Sequence, residues 1–201
     1  LIFDAHKATV TPGFIDLHVH GGNGGAFTSV DPAEHNLARD FHLKNGTTSM
    51  LASTHTMEFA SLLAILNSLS ESSRSNKNGS KVLGIHTEGP FISEHKPGAH
   101  VVAQLKVGEL SAIDEVLSAA GNFVSMVTVA PEISGGLELI RHLTKKNIIS
   151  SIGHTNATYA QAVEGIKAGA RSTTHLFNAM SPLAHRDPGA VGAVLDNDNI
   201  F

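Results

Sequence analysis

The sequence predicts an α/β protein with a (β/α)8 TIM-type barrel, incomplete here at about six β/α units. Three observations predict it. Short apolar runs alternate with helical patterns, the runs recur at spacings of roughly 24 to 41 residues as parallel crossovers require, and polar residues collect at the C-terminal ends of the runs. A doubly wound open sheet fits the alternation equally well. No G-x-G-x-x-G follows the first run, however, which removes the simplest dinucleotide-binding version of that fold.

The first run is "GFIDLHVHG", from Gly13. In "DPAEHNLARDFHLKNG" after it, Asp31 can cap a helix, Pro32 suits the first turn, Glu34 completes a capping-box pattern and Gly46 ends it. "TTSMLAST" (47–54) reads as the second strand. Residues 57–70 place Leu62, Leu63, Leu66 and Leu69 at helical spacing, and "ESSRSNKNGSK" (71–81) reads as an exposed polar loop. "VLGIHTEG" (82–89) is the third strand, and the Pro/Gly/His segment from Pro90 to Gly108 is long enough for a functional loop.

A helix near 111–120 precedes strand four, "FVSMVTVAPE" (123–132). The next helix, 136–146, ends on Lys145 and Lys146, which suit its negative end. "NIISSIGHT" (147–155) is strand five, Thr158 with Gln161 opens a helix that stops at Gly169, and "RSTTHLFNAM" (171–180) is strand six. "AVGAVLDNDNIF" reads as a further helix or its end.

The chain has 201 residues, 41% of them hydrophobic, which is ample for one core. Its net charge of -4 comes from 18 acids and 14 bases that are scattered, so no nucleic-acid or anionic-membrane partner is indicated. No apolar run reaches a membrane span and no secretory signal opens the chain, so a soluble, cytoplasmic protein is expected. With no cysteine, any metal must be held by His, Asp or Glu. The chain starts at Leu1 and stops at Phe201 in a strand-like stretch, which suggests a fragment.

Thirteen histidines in the chain make about one H-x-H expected by chance, so His18 and His20 alone decide nothing. Their company does. His18 and His20 close strand one, His86 and Glu88 close strand three, His154 closes strand five and His175 lies near the end of strand six. In a barrel these ends meet at one mouth, and a spacing of two puts each pair on one strand face. Imidazole and carboxylate are ligands for zinc, iron or a similar divalent ion, and an open coordination position makes a bound water acidic near neutral pH. His86 would sit one layer deeper, so an orienting role and plain packing are both open. The histidines on helices read as solvent-facing.

In order along the chain, "PGFIDLHVHG", "HTEGPFIS", "KPGAH", "IGHT", "THLFNAM" and "RDPGAVGA" resemble the N-acetylglucosamine-6-phosphate deacetylases of the amidohydrolase superfamily. The resemblance implies a barrel that removes acetate from N-acetyl-D-glucosamine 6-phosphate in amino-sugar catabolism and cell-wall recycling. It implies Glu88, His154 and His175 as the core ligands, and His18 and His20 as a pair that some members keep and others replace, for one or two divalent metals, zinc or iron. For substrate it implies Ala99 and His100 on the long loop, Asn178 and Ala179 after strand six, and Arg186 on the phosphate, where a guanidinium can fork onto the oxygens.

The family is typically homodimeric, and Arg186 could serve the neighbouring subunit. The family's catalytic aspartate would lie beyond Phe201, so no catalytic acid or base is expected in this chain and the fragment alone is expected to be inactive. Residues 1–12 would end the N-terminal part of a small β-sandwich, with the partial barrel over 13–201. Two other readings stay open: an amidohydrolase acting on a different N-acyl or cyclic amide substrate, and a non-catalytic metal-binding or scaffold fragment.

Overall fold

The computed structural model describes residues 4–75 and 78–201. Six parallel strands pair in chain order: β1 (Phe14–Val19), β4 (Thr47–Thr54), β5 (Lys81–Glu88), β6 (Val124–Val129), β7 (Ile149–Ile152) and β8 (Ser172–Thr173). A two-stranded antiparallel hairpin, β2 (Gly21–Gly22) with β3 (Gly25–Ala26), follows β1. Between the parallel strands run α1 (Pro32–Lys44), α2 (Phe59–Ser75), α3 (Leu110–Ala119), α4 (Gly136–Lys145) and α5 (Tyr159–Ala168), with α6 (Gly189–Leu195) after β8.

The sheet is curled. In a flat sheet the first and sixth strands would lie roughly 24 Å apart at normal strand spacing. Yet the rings of His18, on β1, and His175, just past β8, are 5.6 Å apart. The architecture is therefore an incomplete (β/α)8 barrel of six units, as the sequence predicts, rather than an open doubly wound sheet.

The helices bury their apolar stripes against the outer face of the sheet. Leu62, Leu66 and Leu69 of α2, Ile113 and Val116 of α3, and Leu139, Ile140 and Leu143 of α4 form one core with Met50, Ala52, Ile85, Val127, Val129 and Ile152 of the strands. On the edge strand β1, Phe14, Ile15 and Leu17 are exposed.

Several boundaries differ from the sequence expectations. Helix α2 continues through residues 71–75, read as loop, because Ser72 and Ser73 turn into the protein; residues 76 and 77 lie outside the described residues. Asp31 caps α1 by accepting from Ala33 N, but Glu34 does not close a capping box. Its carboxylate accepts instead from the Ser29 hydroxyl, whose oxygen in turn accepts from Asp31 N. The Thr158–Gln161 box on α5 forms in full.

Strand six shrinks to Ser172–Thr173, so His175 sits on an irregular segment beyond the strand. The solvent-facing reading of the helix histidines fails most clearly at His35. It is fully buried, with Nδ1 2.7 Å from Ser72 Oγ and Nε2 2.8 Å from the Ser29 carbonyl, where it ties α1 to α2.

Candidate metal centre

Glu88 ends β5 with its side chain pointing into the barrel mouth, and it is 4% exposed. Imidazoles surround it. Oε1 lies 2.9 Å from His175 Nε2, 3.0 Å from His154 Nε2 and 3.7 Å from His18 Nε2. Oε2 lies 3.1 Å from His20 Nε2 and 3.7 Å from His100 Nε2. The Nε2 atoms of His154 and His175 are 3.1 Å apart. Nitrogen and oxygen ligands around one tetrahedral ion stand about 3.3 Å from each other, so these separations have the right scale.

The far nitrogens constrain where each ring carries hydrogen. His20 Nδ1 faces the Ser53 carbonyl at 3.2 Å, His154 Nδ1 the Lys96 carbonyl at 3.0 Å, and His175 Nδ1 the Asn178 carbonyl at 3.2 Å. A carbonyl only accepts, so each Nδ1 carries a hydrogen, and a ring with no second proton turns an Nε2 lone pair toward the carboxylate. In that state the three lone pairs and the carboxylate make up a nitrogen and oxygen donor set around one point, an arrangement that a divalent cation satisfies. The donor set thus fits a metal ion, on the chain's own geometry.

His100 has the opposite tautomer. Its Nδ1 accepts from Thr56 N at 3.1 Å and lies 2.8 Å from Thr56 Oγ1, so the neutral ring presents Nε2–H to the mouth. That makes it a hydrogen-bond donor rather than a ligand, although it is buried close to Glu88 and His154. Burial pushes the Glu88 carboxyl up, but the imidazoles of His100, His154, His175 and His20 outweigh it and hold the group below the usual carboxylate range. Hydrogen bonding to Glu88 raises the His175 pKa, while burial lowers that of His18. His86 is driven down to about 3, chiefly by burial, and is neutral at physiological pH.

The backbone is specialised at the same places. His154, His175 and Ala179 have φ of 46°, 32° and 50°, in the left-handed region that non-glycine residues seldom occupy, at a cost of about 1–3 kcal/mol each. Gly98 is required on the long loop: besides its φ of 55°, a Cβ there would sit 2.9 Å from His154 Cε1. The Pro90–Gly108 segment therefore buttresses the site, supplying the Lys96 carbonyl, Gly98 and His100.

Of the residues singled out from sequence, His18, His20, Glu88, His154 and His175 converge, and with Ala99, His100, Asn178 and Ala179 they line one open pocket. Arg186 is exposed on the 181–188 loop and is not among the lining residues. His86 lies beneath, with Nδ1 3.2 Å from His18 Nδ1. Sequence reasoning missed Ser53, Thr56 and Glu132. The Glu132 carboxylate accepts from the Thr155 hydroxyl and from Asn156 N, both at 2.6 Å, and so anchors the turn that carries His154.

The barrel and its mouth define a class: residues 9–197 match the model of the amidohydrolase family, and the chain belongs to that family. Within it, the chain is 38% identical over 199 residues to the N-acetylglucosamine-6-phosphate deacetylase of Bacillus subtilis, covering 95% of this chain and 49% of that protein. It is 33% identical to the N-acetylgalactosamine-6-phosphate deacetylase of Escherichia coli O157:H7, covering 92% and 49%. A solved mutant N-acetyl-D-glucosamine-6-phosphate deacetylase from Mycobacterium smegmatis, in complex with N-acetyl-D-glucosamine-6-phosphate, superimposes with a TM-score of 0.90 at 37% identity, covering 94% of this chain and 49% of that one. The chain spans about half the length of the curated relatives it matches.

Proposed function

We propose that the protein carrying this chain is a metal-dependent deacetylase of N-acetyl-D-glucosamine 6-phosphate, releasing acetate and D-glucosamine 6-phosphate. The observation that carries the reading is the split at the far nitrogens: Nδ1 of His20, His154 and His175 each faces a carbonyl, which leaves Nε2 free to hold a cation beside Glu88, whereas Nδ1 of His100 accepts from Thr56 N and its Nε2 carries a hydrogen into the same pocket. Glu88, His154 and His175 would hold one divalent ion, zinc or iron, and His18 and His20 with Glu88 a second. When bound, such an ion supplies Lewis acidity to an amide carbonyl and to water.

His100 donates from Nε2 to the acetamide oxygen, a donor placed where negative charge develops as the carbonyl is attacked. The Thr56 backbone N–H holds that proton on Nε2 by occupying Nδ1. Ala99, Asn178 and Ala179 shape the sugar pocket, and Arg186 takes the phosphate, in this subunit or in the second subunit of a homodimer. The proposed setting is cytoplasmic amino-sugar catabolism and cell-wall recycling; among the described residues no helix is long and apolar enough to cross a membrane. Residues 1–12 belong, on this reading, to a small β-sandwich completed elsewhere, and an aspartate beyond Phe201 handles proton transfer.

The test is acetate release by the full-length protein from the phosphorylated and unphosphorylated sugar, before and after treatment with a chelator. Activity that survives complete metal removal overturns the reading. Arg186→Ala should damage turnover of the phosphorylated sugar far more than that of the unphosphorylated one, and equal losses would favour an amidohydrolase with a different amide substrate. The similarity to the galactosamine enzyme favours one such alternative, so N-acetylgalactosamine 6-phosphate belongs in the same assay.

A further inference from the structure

Three of the four ligand-type imidazoles have their tautomer fixed by a carbonyl, but His18 does not. Its Nδ1 faces another ring nitrogen, His86 Nδ1, at 3.2 Å. Only one of these atoms can carry hydrogen, and the choice matters. With hydrogen on His18 Nδ1, the His18 Nε2 lone pair faces Glu88 and can hold a cation; with hydrogen on His86 Nδ1, His18 Nε2 becomes an N–H and cannot.

Ser53 biases the choice. Its Oγ accepts from Val19 N at 3.1 Å and lies 3.3 Å from His86 Nδ1, the one acceptor for the hydroxyl hydrogen among the described contacts. With the hydroxyl donated to His86 Nδ1, the lone pair of that nitrogen faces both the hydroxyl and His18 Nδ1, and hydrogen on His18 Nδ1 is the arrangement that sets no second lone pair against it. His86 then carries hydrogen on Nε2 and donates to Thr128 Oγ1 at 2.8 Å. The chain continues from Thr128 to Thr174 at 2.8 Å and from Thr174 to Ser151 at 2.7 Å, all of them buried in the barrel interior. The Leu17 backbone pulls the opposite way, favouring a hydrogen on the side of the His86 ring that faces it. In that opposite arrangement the Ser53 hydroxyl hydrogen and the His18 lone pair would both face an N–H.

We propose that Ser53 and His86 are positioning residues that lock His18 into its metal-holding tautomer through this directional chain, while the Ser53 carbonyl does the same for His20. One strand residue therefore sets both members of the H-x-H pair. The inference rests on the reading that Glu88 and its imidazoles hold metal.

The full-length protein with 15N-labelled histidine gives the direct test, because long-range proton–nitrogen correlation distinguishes the two neutral tautomers. His86 should be protonated on Nε2 alone and His18 on Nδ1 alone; a His86 protonated on Nδ1 overturns the proposal. Chelator competition gives the second test. Ser53→Ala and His86→Phe should weaken one metal equivalent by about 10- to 100-fold and leave the other unchanged, and Ser53→Thr, which keeps the hydroxyl, should restore it. Unchanged affinity in both the alanine and phenylalanine variants removes the tautomer lock alone, whereas a wild-type protein that binds no metal removes the metal reading beneath it.

Discussion

The two faces of the curled sheet have opposite chemistry. On the convex face Met50, Ala52, Ile85, Val127 and Ile152 meet helix leucines and isoleucines in a dry apolar layer. On the concave face Ser53, His86, Thr128, Ser151 and Thr174 are as deeply buried, yet they form a hydrogen-bonded column beneath Glu88. The convex layer holds the strands in place by area removed from water, which is insensitive to direction. The concave column depends on direction, since each member must donate where its neighbour accepts. Stability and site geometry therefore lie in separate residues of the same strands.

The largest effects should come from breaking each face at its centre. Glu88→Gln keeps the shape but removes the charge that faces five imidazoles. In the full-length protein it should abolish stoichiometric metal binding and lower turnover by about a thousandfold or more, equivalent to about 4 kcal/mol of barrier. Elemental analysis and acetate release check it. Leu66→Ala, at a fully buried position of α2, should cost about 2–5 kcal/mol of stability by denaturant unfolding. The metal content of its folded fraction should not change.

Gly153→Ala probes the boundary between the faces. A Cβ there would lie 2.7 Å from Thr174 Cβ and 2.9 Å from Thr128 Cγ2, so the polar column must move to admit it. Overpacking of this kind costs about 1–3 kcal/mol. Because Thr128 supports His86, the variant should also weaken metal binding, which Leu66→Ala should not. A Gly153→Ala protein that loses stability with unaltered metal affinity would show that the column is ordinary packing.

The two faces were also unequally legible. The convex face follows from the period of the apolar residues, and Leu62, Leu66 and Leu69 declare α2 without help. Glu88 and His18 were legible because strand period two and the barrel rule place strand-end polar residues at one mouth. What escaped was whatever depends on partners distant in sequence or on backbone exceptions. His35 resembles a surface helix residue until Ser72 and the Ser29 carbonyl are brought to its two nitrogens. His100 has no tautomer until Thr56 supplies a proton donor. The left-handed φ at His154 and His175 has no signal in residue type, and it shortens the sixth strand to two residues where an apolar run suggested ten.

The smallest effect should come from a helix end on the convex side. Thr158 accepts from Gln161 N at 3.3 Å, and the Gln161 side chain accepts from Thr158 N at 2.9 Å, a reciprocal pair that opens α5 only four residues after His154. Thr158→Ala removes one half of the pair and should cost about 1 kcal/mol. Proximity in sequence suggests that the site would feel it. The connections suggest otherwise, because Glu132 anchors Thr155 and Asn156 independently of the helix, and the Lys96 carbonyl fixes the His154 ring from the long loop. Thr158→Ala should therefore lower the unfolding midpoint while leaving metal stoichiometry and acetate release within about twofold of the unmodified protein. A tenfold loss of activity, about 1.4 kcal/mol in the barrier, would show that the turn after β7 takes its geometry from α5, and that the two faces are coupled there.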